Sequence, residues 1–257
     1  MQSESAFIRV PILILTKKKM KLDILAFGAH PDDVELGCGG TLAKEIALGK
    51  TAGIIDLTRG ELGTRGSVEI RNQEAAAAAK ILGISVRENL DMRDGFFVND
   101  EAHQLKIIGM IRKYRPEIVI CNAIDDRHID HGKGSKLVSD ACFLSGLMKI
   151  KTEHNGEKQI AWRPKLVYHY IQWKNITPDF AVDITGYNDK RIDAILAYGS
   201  QFYNPNSDEP ETPIASKNFL DSLNYRAQDL GRLIGVDYAE GFTVERYLGV
   251  NSLGDLI

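Results

Sequence analysis

Cysteine, long apolar runs and an excess of either charge are all scarce in this sequence. Its three cysteines, Cys38, Cys121 and Cys142, show no CxxC spacing, so neither a disulfide framework nor a thiolate zinc site is indicated. The formal net charge is -3 and no long run of one sign occurs, which argues against a nucleic-acid or membrane partner. These absences predict a cytoplasmic protein that acts on a small molecule.

The first twenty residues do not match a targeting signal. An apolar stretch from Phe7 to Leu15 is interrupted by Arg9 and Pro11 and is followed by lysines, whereas a secretory signal carries its positive charge before the apolar region. The stretch is also too short to span a bilayer. We expect residues 1–20 to be a loose extension or the product of a misassigned start codon, and residues 21–257 to form one domain.

From Lys21 onward, short apolar runs rich in β-branched residues alternate with longer amphipathic segments, a pattern typical of βαβ units. The predicted fold is therefore α/β: a Rossmann-like, mostly parallel sheet with helices on both faces. Strands are expected at residues 22–27, 51–57, 86–90, 117–121, 166–171, 180–183 and 243–247. Helices are expected near residues 40–48, 67–82, 101–114, 132–147, 188–198 and 216–234, with Gly83 ending the second of them.

Two polar clusters directly follow predicted strands. Residues 30–35 (HPDDVE) come after the first strand, and residues 125–131 (DDRHIDH) come after the fourth. In an open α/β sheet, ligands bind outside the carboxyl ends of the strands, so both clusters belong to the edge where chemistry is expected. Together they contain three of the six histidines in the chain, which predicts an active site built from these two loops.

The first cluster has the composition of a metal site. A catalytic zinc ion takes about three protein ligands from imidazoles, carboxylates or thiolates and keeps one position open. His30 and Asp33 are three residues apart, so on a turn or short helix they share a face while Asp32 points elsewhere. The spacing therefore nominates His30 and Asp33 as ligands and leaves Asp32 free to act as a general base on the attacking water.

The third ligand is left open by the spacing, because His128 and His131 are also three residues apart. The histidine that does not bind metal could stabilise the oxyanion or protonate the leaving amine, and Asp130 is close enough in sequence to orient an imidazole and keep it charged. Residues 37–40 lack the G-x-G-x-x-G register of a dinucleotide site. A nucleotide cofactor is therefore not favoured.

Three segments, HPDDVELGCGG, TRGELGTRG and DRHIDHGKGSKLVSDACFLSG, resemble the LmbE-like, or PIG-L, family of zinc-dependent deacetylases, and the resemblance runs from about Lys21 to the end. Within the family, the sequence is most similar to the bacterial branch that deacetylates N-acetylglucosaminyl L-malate during bacillithiol biosynthesis. This implies a hydrolase acting on linear amides and one Zn²⁺ per chain, although the same ligands also suit Fe²⁺. It further implies a homo-oligomer, often a hexamer.

The resemblance assigns roles residue by residue. The implied zinc ligands are His30, Asp33 and His131. Asp32 is the implied general base, and His128 is the implied electrophile or general acid, with Asp130 as its orienting partner. The sequence departs from the family at Ile129, where proline is frequent. That change alters loop stiffness but removes no reactive group.

Substrate-binding residues follow from the same resemblance. They are Arg59, Glu61, Arg71, Arg127, Gln201 and Tyr203. Arg71 and Arg127 match positions expected to bind the substrate carboxylates, for which a planar guanidinium is well suited, although Arg71 could equally be a charge on a helix surface. The proline-containing loop at residues 204–213 is predicted to be a lid or an intersubunit contact.

The function predicted from the sequence is therefore zinc-dependent removal of the acetyl group from N-acetylglucosaminyl L-malate. Three alternatives stay open: a deacetylase of another N-acetylglucosamine-containing small molecule, a Rossmann-type cofactor enzyme, and a metal-dependent binding protein without turnover. The last is disfavoured because a binding protein needs neither the base nor the acid that flank the predicted metal site.

Overall fold

The computed structural model of the chain describes residues 20–255, and the prediction for the N-terminal extension falls almost entirely outside this range. The strands are β1 (Ile24–Gly28), β2 (Ala52–Thr58), β3 (Val86–Met92), β4 (Ile118–Cys121), β5 (Glu153–His154), β6 (Glu157–Lys158), β7 (Leu166–Tyr170), β8 (Phe180–Asp183) and β9 (Ala239–Val244). The α-helices are α1 (Asp33–Ala47), α2 (Val68–Leu82), α3 (Glu101–Tyr114), α4 (Ile129–Ser145), α5 (Asn188–Leu196) and α6 (Lys217–Ile234).

A seven-stranded sheet with the order β3-β2-β1-β4-β7-β9-β8 forms the centre of the molecule. The strands from β3 to β7 in this order are parallel, whereas β9 pairs antiparallel with both β7 and β8. All residues of β1 and β2 are buried, as expected for parallel strands covered on both faces. Strands β5 and β6 form a separate two-stranded hairpin, which the sequence patterns did not predict.

Helices cover the sheet on both faces. Helices α3 and α4 pack over one face, where Leu25, Phe27 and Ile55 contribute to the core. Helices α1, α2, α5 and α6 lie on the other side, in a core that includes Ala78 and Leu223. The α/β prediction, with a mostly parallel sheet flanked by helices, is confirmed. No helix within residues 20–255 is long and apolar enough to cross a membrane.

The predicted starts of α1 and α4 were wrong. Helix α1 begins at Asp33 rather than near Gly40, and α4 begins at Ile129 rather than near Gly132. In both cases the last residues of the predicted active-site loop form the first turn of a helix. Gly37 within α1 is required by packing, because a Cβ there would lie 2.1 Å from the Cδ2 atom of Tyr170.

Strand β9 covers residues 239–244 instead of the predicted 243–247. Its register is set by pairing on both sides, because Phe242 lies opposite Tyr170 and also opposite Phe180. The strand also contains Glu240, a buried carboxylate paired with Arg191 at 3.1 Å. A buried charge in a central strand breaks the apolar pattern, which explains the displaced prediction.

Candidate active site

A cavity of about 590 Å³ opens at the carboxyl ends of the parallel strands, which is the size range of small-molecule sites. Its walls come from the loops after β1, β2, β3, β4 and β7 and from the segment preceding α6. The two clusters selected from the sequence therefore meet in one cavity. This agrees with the rule that ligands bind beyond the carboxyl ends of the strands.

The turn between β1 and α1 is strained at Asp32. This residue precedes the first helical position with φ of 114°, in a region that non-glycine residues rarely adopt, and such strain is typical of functional sites. The Arg71 guanidinium binds this turn by donating to the Pro31 carbonyl oxygen from Nε at 3.2 Å and from Nη2 at 2.9 Å. Nη2 also lies 2.5 Å from Oδ2 of Asp32. Arg71 is thus buried and is not a charge on a helix surface.

The Asp33 carboxylate contacts two histidines, His30 and His131, through one ring nitrogen of each. Nδ1 of His30 lies 3.6 Å from Oδ2 of Asp33, and Nε2 of His131 lies 3.2 Å from Oδ1 of the same carboxylate. The opposite ring nitrogens are occupied: Nε2 of His30 is 2.9 Å from Oδ1 of Asp94, and Nδ1 of His131 is 2.5 Å from Oδ2 of Asp126. Each imidazole therefore presents one nitrogen to the Asp33 carboxylate and binds a supporting carboxylate with the other.

The Asp33 carboxylate is itself held by neutral donors. Nε2 of Gln172 donates to Oδ1 at 2.8 Å, and Nδ2 of Asn122 donates to Oδ2 at 2.9 Å. The backbone N–H of His30 also donates to Oδ2 at 2.9 Å. These side-chain amides come from the segments directly after β7 and β4, so three strands of the sheet orient one carboxylate.

The titration behaviour of the cluster reflects this mutual pairing. Burial alone would raise the pKa of Asp33, but His131 and His30 hold it well below the usual range. Burial alone would lower the pKa of His131, yet Asp33 and Asp126 raise it to about 9. Burial likewise opposes the raised pKa of His30, which its contacts with Asp130, Asp33 and Asp94 keep well above the usual value. For all three side chains, pairing with oppositely charged neighbours thus outweighs the effect of burial on the pKa.

The donor set fits a divalent metal ion. Two imidazoles contact one carboxylate, and each imidazole is backed by a further carboxylate, as is usual for metal-binding histidines. One ligand atom from each of His30, His128 and His131 lies within 4.8 Å of the others, so the third histidine adjoins the same cluster. The two histidines between which the spacing left the third ligand open, His128 and His131, stack on each other with ring centroids 5.2 Å apart.

His128 and Asp130 are arranged differently from the prediction. His128 precedes the first residue of α4, and its Nδ1 accepts a hydrogen bond from the backbone N–H of Asp130 at 3.2 Å. The Asp130 carboxylate instead accepts from the Gly95 N–H at 2.7 Å and lies 3.5 Å from Nε2 of His30. Residues two apart at a helix start do not share a face. The carboxylate therefore does not orient His128 as expected.

Electrostatics favour a neutral His128. Burial and then the charges of His30 and His131 lower its pKa. Because its Nδ1 accepts a hydrogen bond, the proton of the neutral ring resides on Nε2. His128 can therefore donate a hydrogen bond into the cavity.

Asp32 differs from Asp33 in its partner, which is the guanidinium of Arg71 and not a histidine. Burial raises its pKa to about 7, and the Arg71 charge limits the rise. A general base works best with a pKa near the operating pH. The predicted role of Asp32 is therefore chemically consistent with its surroundings.

The predicted substrate-binding residues separate into two groups. Arg71, Arg127 and Gln201 line the cavity. Arg59, Glu61 and Tyr203 are not among the described residues that line it. Arg59 pairs with Asp91, and the Glu61 carboxylate accepts the backbone N–H of Asp94 at 2.8 Å, so both side chains serve the loops rather than the cavity.

Arg127 is held on an aromatic wall of the cavity. Its guanidinium lies over the Trp173 ring, 4.6 Å from the centroid, and Trp173 stacks on Phe219 at 5.1 Å. Within residues 20–255, Arg127 has no carboxylate partner. Its N–H groups are therefore available to an anionic group in the cavity.

The loop at residues 204–213 reaches the cavity at its end, where Thr212 and Pro213 line it. Glu209 accepts the Gly66 N–H at 3.0 Å and lies 3.3 Å from Nε of Arg65, and Ser207 accepts from the same guanidinium at 2.8 Å. The loop is thus tied to the Gly-rich segment after β2. These contacts test neither alternative, so the lid and the intersubunit contact both stay predictions.

Sequence reasoning missed the supporting residues. These are Asp94, Asn122, Asp126 and Gln172. Asn122 directly follows β4, while Asp94 and Gln172 follow β3 and β7 within two residues. The strand-end rule that selected the two histidine clusters could have found them. They were passed over because an isolated Asp, Asn or Gln after a strand is also a common turn residue.

Comparisons with known proteins agree with this geometry. The family described as PIG-L: GlcNAc-PI de-N-acetylase matches residues 25–142. Diacetylchitobiose deacetylase from Thermococcus kodakarensis is 30% identical over 193 residues, which cover 70% of this chain and 70% of that protein. The uncharacterized deacetylase YaiS from Escherichia coli is 36% identical over 126 residues, or 46% of this chain and 66% of that protein.

The chain is also similar to a solved structure and to a protein named as a hydratase. The crystal structure of the conserved protein TT1542 from Thermus thermophilus superposes with a TM-score of 0.80 at 36% identity, covering 90% of this chain and 98% of that chain. The 4-oxalmesaconate hydratase from Pseudomonas putida is 27% identical over 192 residues, which cover 69% of this chain and 73% of that protein. Relatives of this chain thus include proteins named for two different reactions.

Proposed function

Because the chain belongs to the PIG-L family of GlcNAc-PI de-N-acetylases, we propose that it is a metal-dependent hydrolase that removes the acetyl group from an N-acetylated amino-sugar conjugate. The observation that carries this proposal is the convergence of His30 and His131 on the Asp33 carboxylate, next to the base Asp32, which Arg71 holds. The proposed metal is one Zn²⁺ per chain, and Fe²⁺ suits the same donors.

The reaction requires water to attack an unreactive amide carbon. A divalent cation held by His30, Asp33 and His131 would polarise the acetyl carbonyl and lower the pKa of water. Asp32 accepts the proton of the attacking water and can return it to the departing amine. His128 donates its Nε2 proton in a hydrogen bond to the carbonyl oxygen as negative charge develops there. The products are acetate and a free amine.

We propose N-acetylglucosaminyl L-malate, the bacillithiol precursor, as the substrate. Support comes from Arg127, which lines the cavity, has no carboxylate partner within the described residues and can bind a malate carboxylate. Arg226 also lines the cavity and donates to the Trp173 carbonyl oxygen at 2.5 Å, adding positive charge to the same wall. A cytoplasmic location and assembly into a homo-oligomer such as a hexamer belong to the same proposal.

The test compares turnover of N-acetylglucosaminyl malate with that of free N-acetylglucosamine, measured as released amine by the zinc-loaded protein. We expect kcat/KM to be at least tenfold higher for the malate conjugate, since a charged hydrogen bond contributes about 1.5–3 kcal/mol. A ratio near one contradicts the malate assignment and leaves the wider deacetylase proposal. In the same assay, Asp32→Ala should retain zinc but lose nearly all turnover, whereas His30→Ala should lose both.

Hydration of a carbon–carbon double bond is the competing reaction, because one relative is named as a hydratase. Both reactions use an activated water, so the metal donors do not distinguish them. The relatives with 36% and 30% identity are both named as deacetylases, against 27% for the hydratase, which favours amide hydrolysis. Hydration of an unsaturated dicarboxylate, with no amine released from any N-acetylated sugar, would overturn the proposal.

A further inference from the structure

Asp94 has contacts that the proposed reaction does not use. It lies two residues after β3 and is 5% exposed. Its Oδ1 atom is 2.9 Å from Nε2 of His30, and its Oδ2 atom accepts the backbone N–H of Leu62 at 3.0 Å. One buried carboxylate thus contacts a metal-binding side chain and the Gly-rich segment at residues 58–66.

The contact with His30 determines which ring nitrogen is available. A neutral imidazole carries its proton on one nitrogen and offers the lone pair of the other. When His30 is neutral, as a metal ligand must be, Asp94 accepts the proton on Nε2. The lone pair of Nδ1 is then left for a metal ion on the side of Asp33, whose Oδ2 atom is 3.6 Å away. An oxygen of Asp130 is 3.5 Å from the same Nε2 atom, but the Gly95 N–H already donates to it at 2.7 Å. Asp94 is therefore the principal acceptor.

Asp94 both accepts and donates a hydrogen bond in its contact with the Gly-rich segment. Leu62 donates its N–H to the Asp94 carboxylate, while the backbone N–H of Asp94 donates to Glu61 at 2.8 Å. Leu62 and Gly63 line the cavity. The wall that faces the substrate and the orientation of His30 consequently depend on the same residue.

We propose that Asp94 is a positioning residue that fixes His30 with Nδ1 toward the metal ion and ties the segment at residues 58–66 to that ligand. The inference rests on the proposed metal site but not on the identity of the substrate. It also assigns a purpose to Glu61, which the family resemblance grouped with the substrate-binding residues: its carboxylate holds the Asp94 backbone.

Zinc affinity tests the positioning role independently of turnover. Asp94→Asn should weaken zinc binding about 10- to 100-fold, the usual effect of losing a partner of a metal-binding histidine, when measured by competition with a chromophoric chelator. Asp91→Asn is the matched control, because Asp91 lies only three residues before Asp94, at the end of β3, but pairs with Arg59 outside the cavity. Asp94→Glu keeps the charge and should lose less affinity than Asp94→Asn. Wild-type affinity in Asp94→Asn, or equal losses in Asn and Glu, would overturn the inference.

Nitrogen NMR provides a readout that needs no variant of Asp94. In the zinc-loaded protein with ¹⁵N-labelled histidine, His30 should show a metal-bound Nδ1 and a protonated Nε2, with its signals assigned by their absence in His30→Gln. Coordination through Nε2 contradicts the inference whatever the enzyme hydrolyses. Conversely, the expected coordination without any amide hydrolysis would contradict the proposed function alone.

Discussion

At the scale of single residues, the site depends on pairs in which one member is reactive and the other restrains it. Arg71 is the clearest case, since its guanidinium binds both the Pro31 carbonyl and the Asp32 carboxylate. A guanidinium engaged in this way has fewer free N–H groups for a substrate carboxylate than Arg127, which stacks on Trp173 and has no acidic partner in the part of the chain that the structure describes. The two arginines, which the family resemblance grouped together, therefore have separable roles.

This separation predicts different kinetic effects. Arg71→Gln should lower kcat by about 10- to 100-fold with little change in KM, because the base loses its alignment, and the loss should be similar for substrates with and without a carboxylate. Arg127→Gln should raise KM for the malate conjugate while leaving free N-acetylglucosamine unaffected. Steady-state kinetics of both variants on both substrates measures the difference. A selective rise in KM for the malate conjugate in Arg71→Gln would restore its direct role in substrate binding.

At the scale of secondary structure, α1 consists of two helical segments joined at Cys38, whose φ and ψ of -149° and 20° are not helical. At the start of the second segment, the backbone N–H groups of Gly40 and Thr41 donate to the Glu240 carboxylate at 2.9 and 2.7 Å. Helix starts leave such donors unsatisfied unless a side chain binds them. A carboxylate from β9 thus stabilises the helix that carries Asp33.

The break in α1 allows its backbone to approach the sheet closely at Gly37. Gly37→Ala should destabilise the protein by about 1–3 kcal/mol, the usual cost of overpacking, because the new Cβ would collide with the Tyr170 ring. The free energy of unfolding in urea measures this. Gly109→Ala in α3 is the control: its Cβ would meet only Oε1 of Gln159, at 3.9 Å, and alanine favours a helix by up to about 1 kcal/mol. Equal stability of the Gly37 variant and the wild type would contradict the packing argument.

At the scale of the whole molecule, the active site joins parts of the chain that are distant in sequence. The turn after β1 supplies His30, and the first turns of α1 and α4 supply Asp33 and His131. The segments after β3, β4 and β7 deliver the supporting Asp94, Asn122 and Gln172. A metal ion bound here therefore bridges both helix starts. An ion that binds the folded chain only would stabilise the fold by an amount that grows with the logarithm of its concentration relative to its dissociation constant.

Metal removal should consequently lower the melting temperature. With zinc at about 100 times its dissociation constant, the gain is about 2.7 kcal/mol, which corresponds to roughly 5–10 °C for a protein of this size. Thermal unfolding with and without a chelator measures the difference. His30→Ala should abolish it, and Arg127→Gln should retain it. An unchanged melting temperature of the wild type after complete chelation would contradict a metal site at this position.

The sequence by itself determined the α/β class, most strand positions and the two histidine clusters, because these depend on local patterns: apolar runs, helix periodicity and the residues that follow strands. Helix α2 is an example, since Ser67 and Gly83 mark its two ends in the sequence and also bound it in the structure. The same local reasoning placed His30, Asp33 and His131 at one edge of the sheet.

Only the tertiary structure decided which atoms face one another. Glu240 pairs with Arg191, 49 positions away, and Asp32 pairs with Arg71, 39 positions away. No local sequence pattern encodes partners at such separations. The direction of the Asp130 carboxylate, toward His30 instead of His128, follows from α4 beginning at Ile129. Burial also sets the pKa of Asp32. Packing across the sheet decides these properties, and the order of residues along the chain does not.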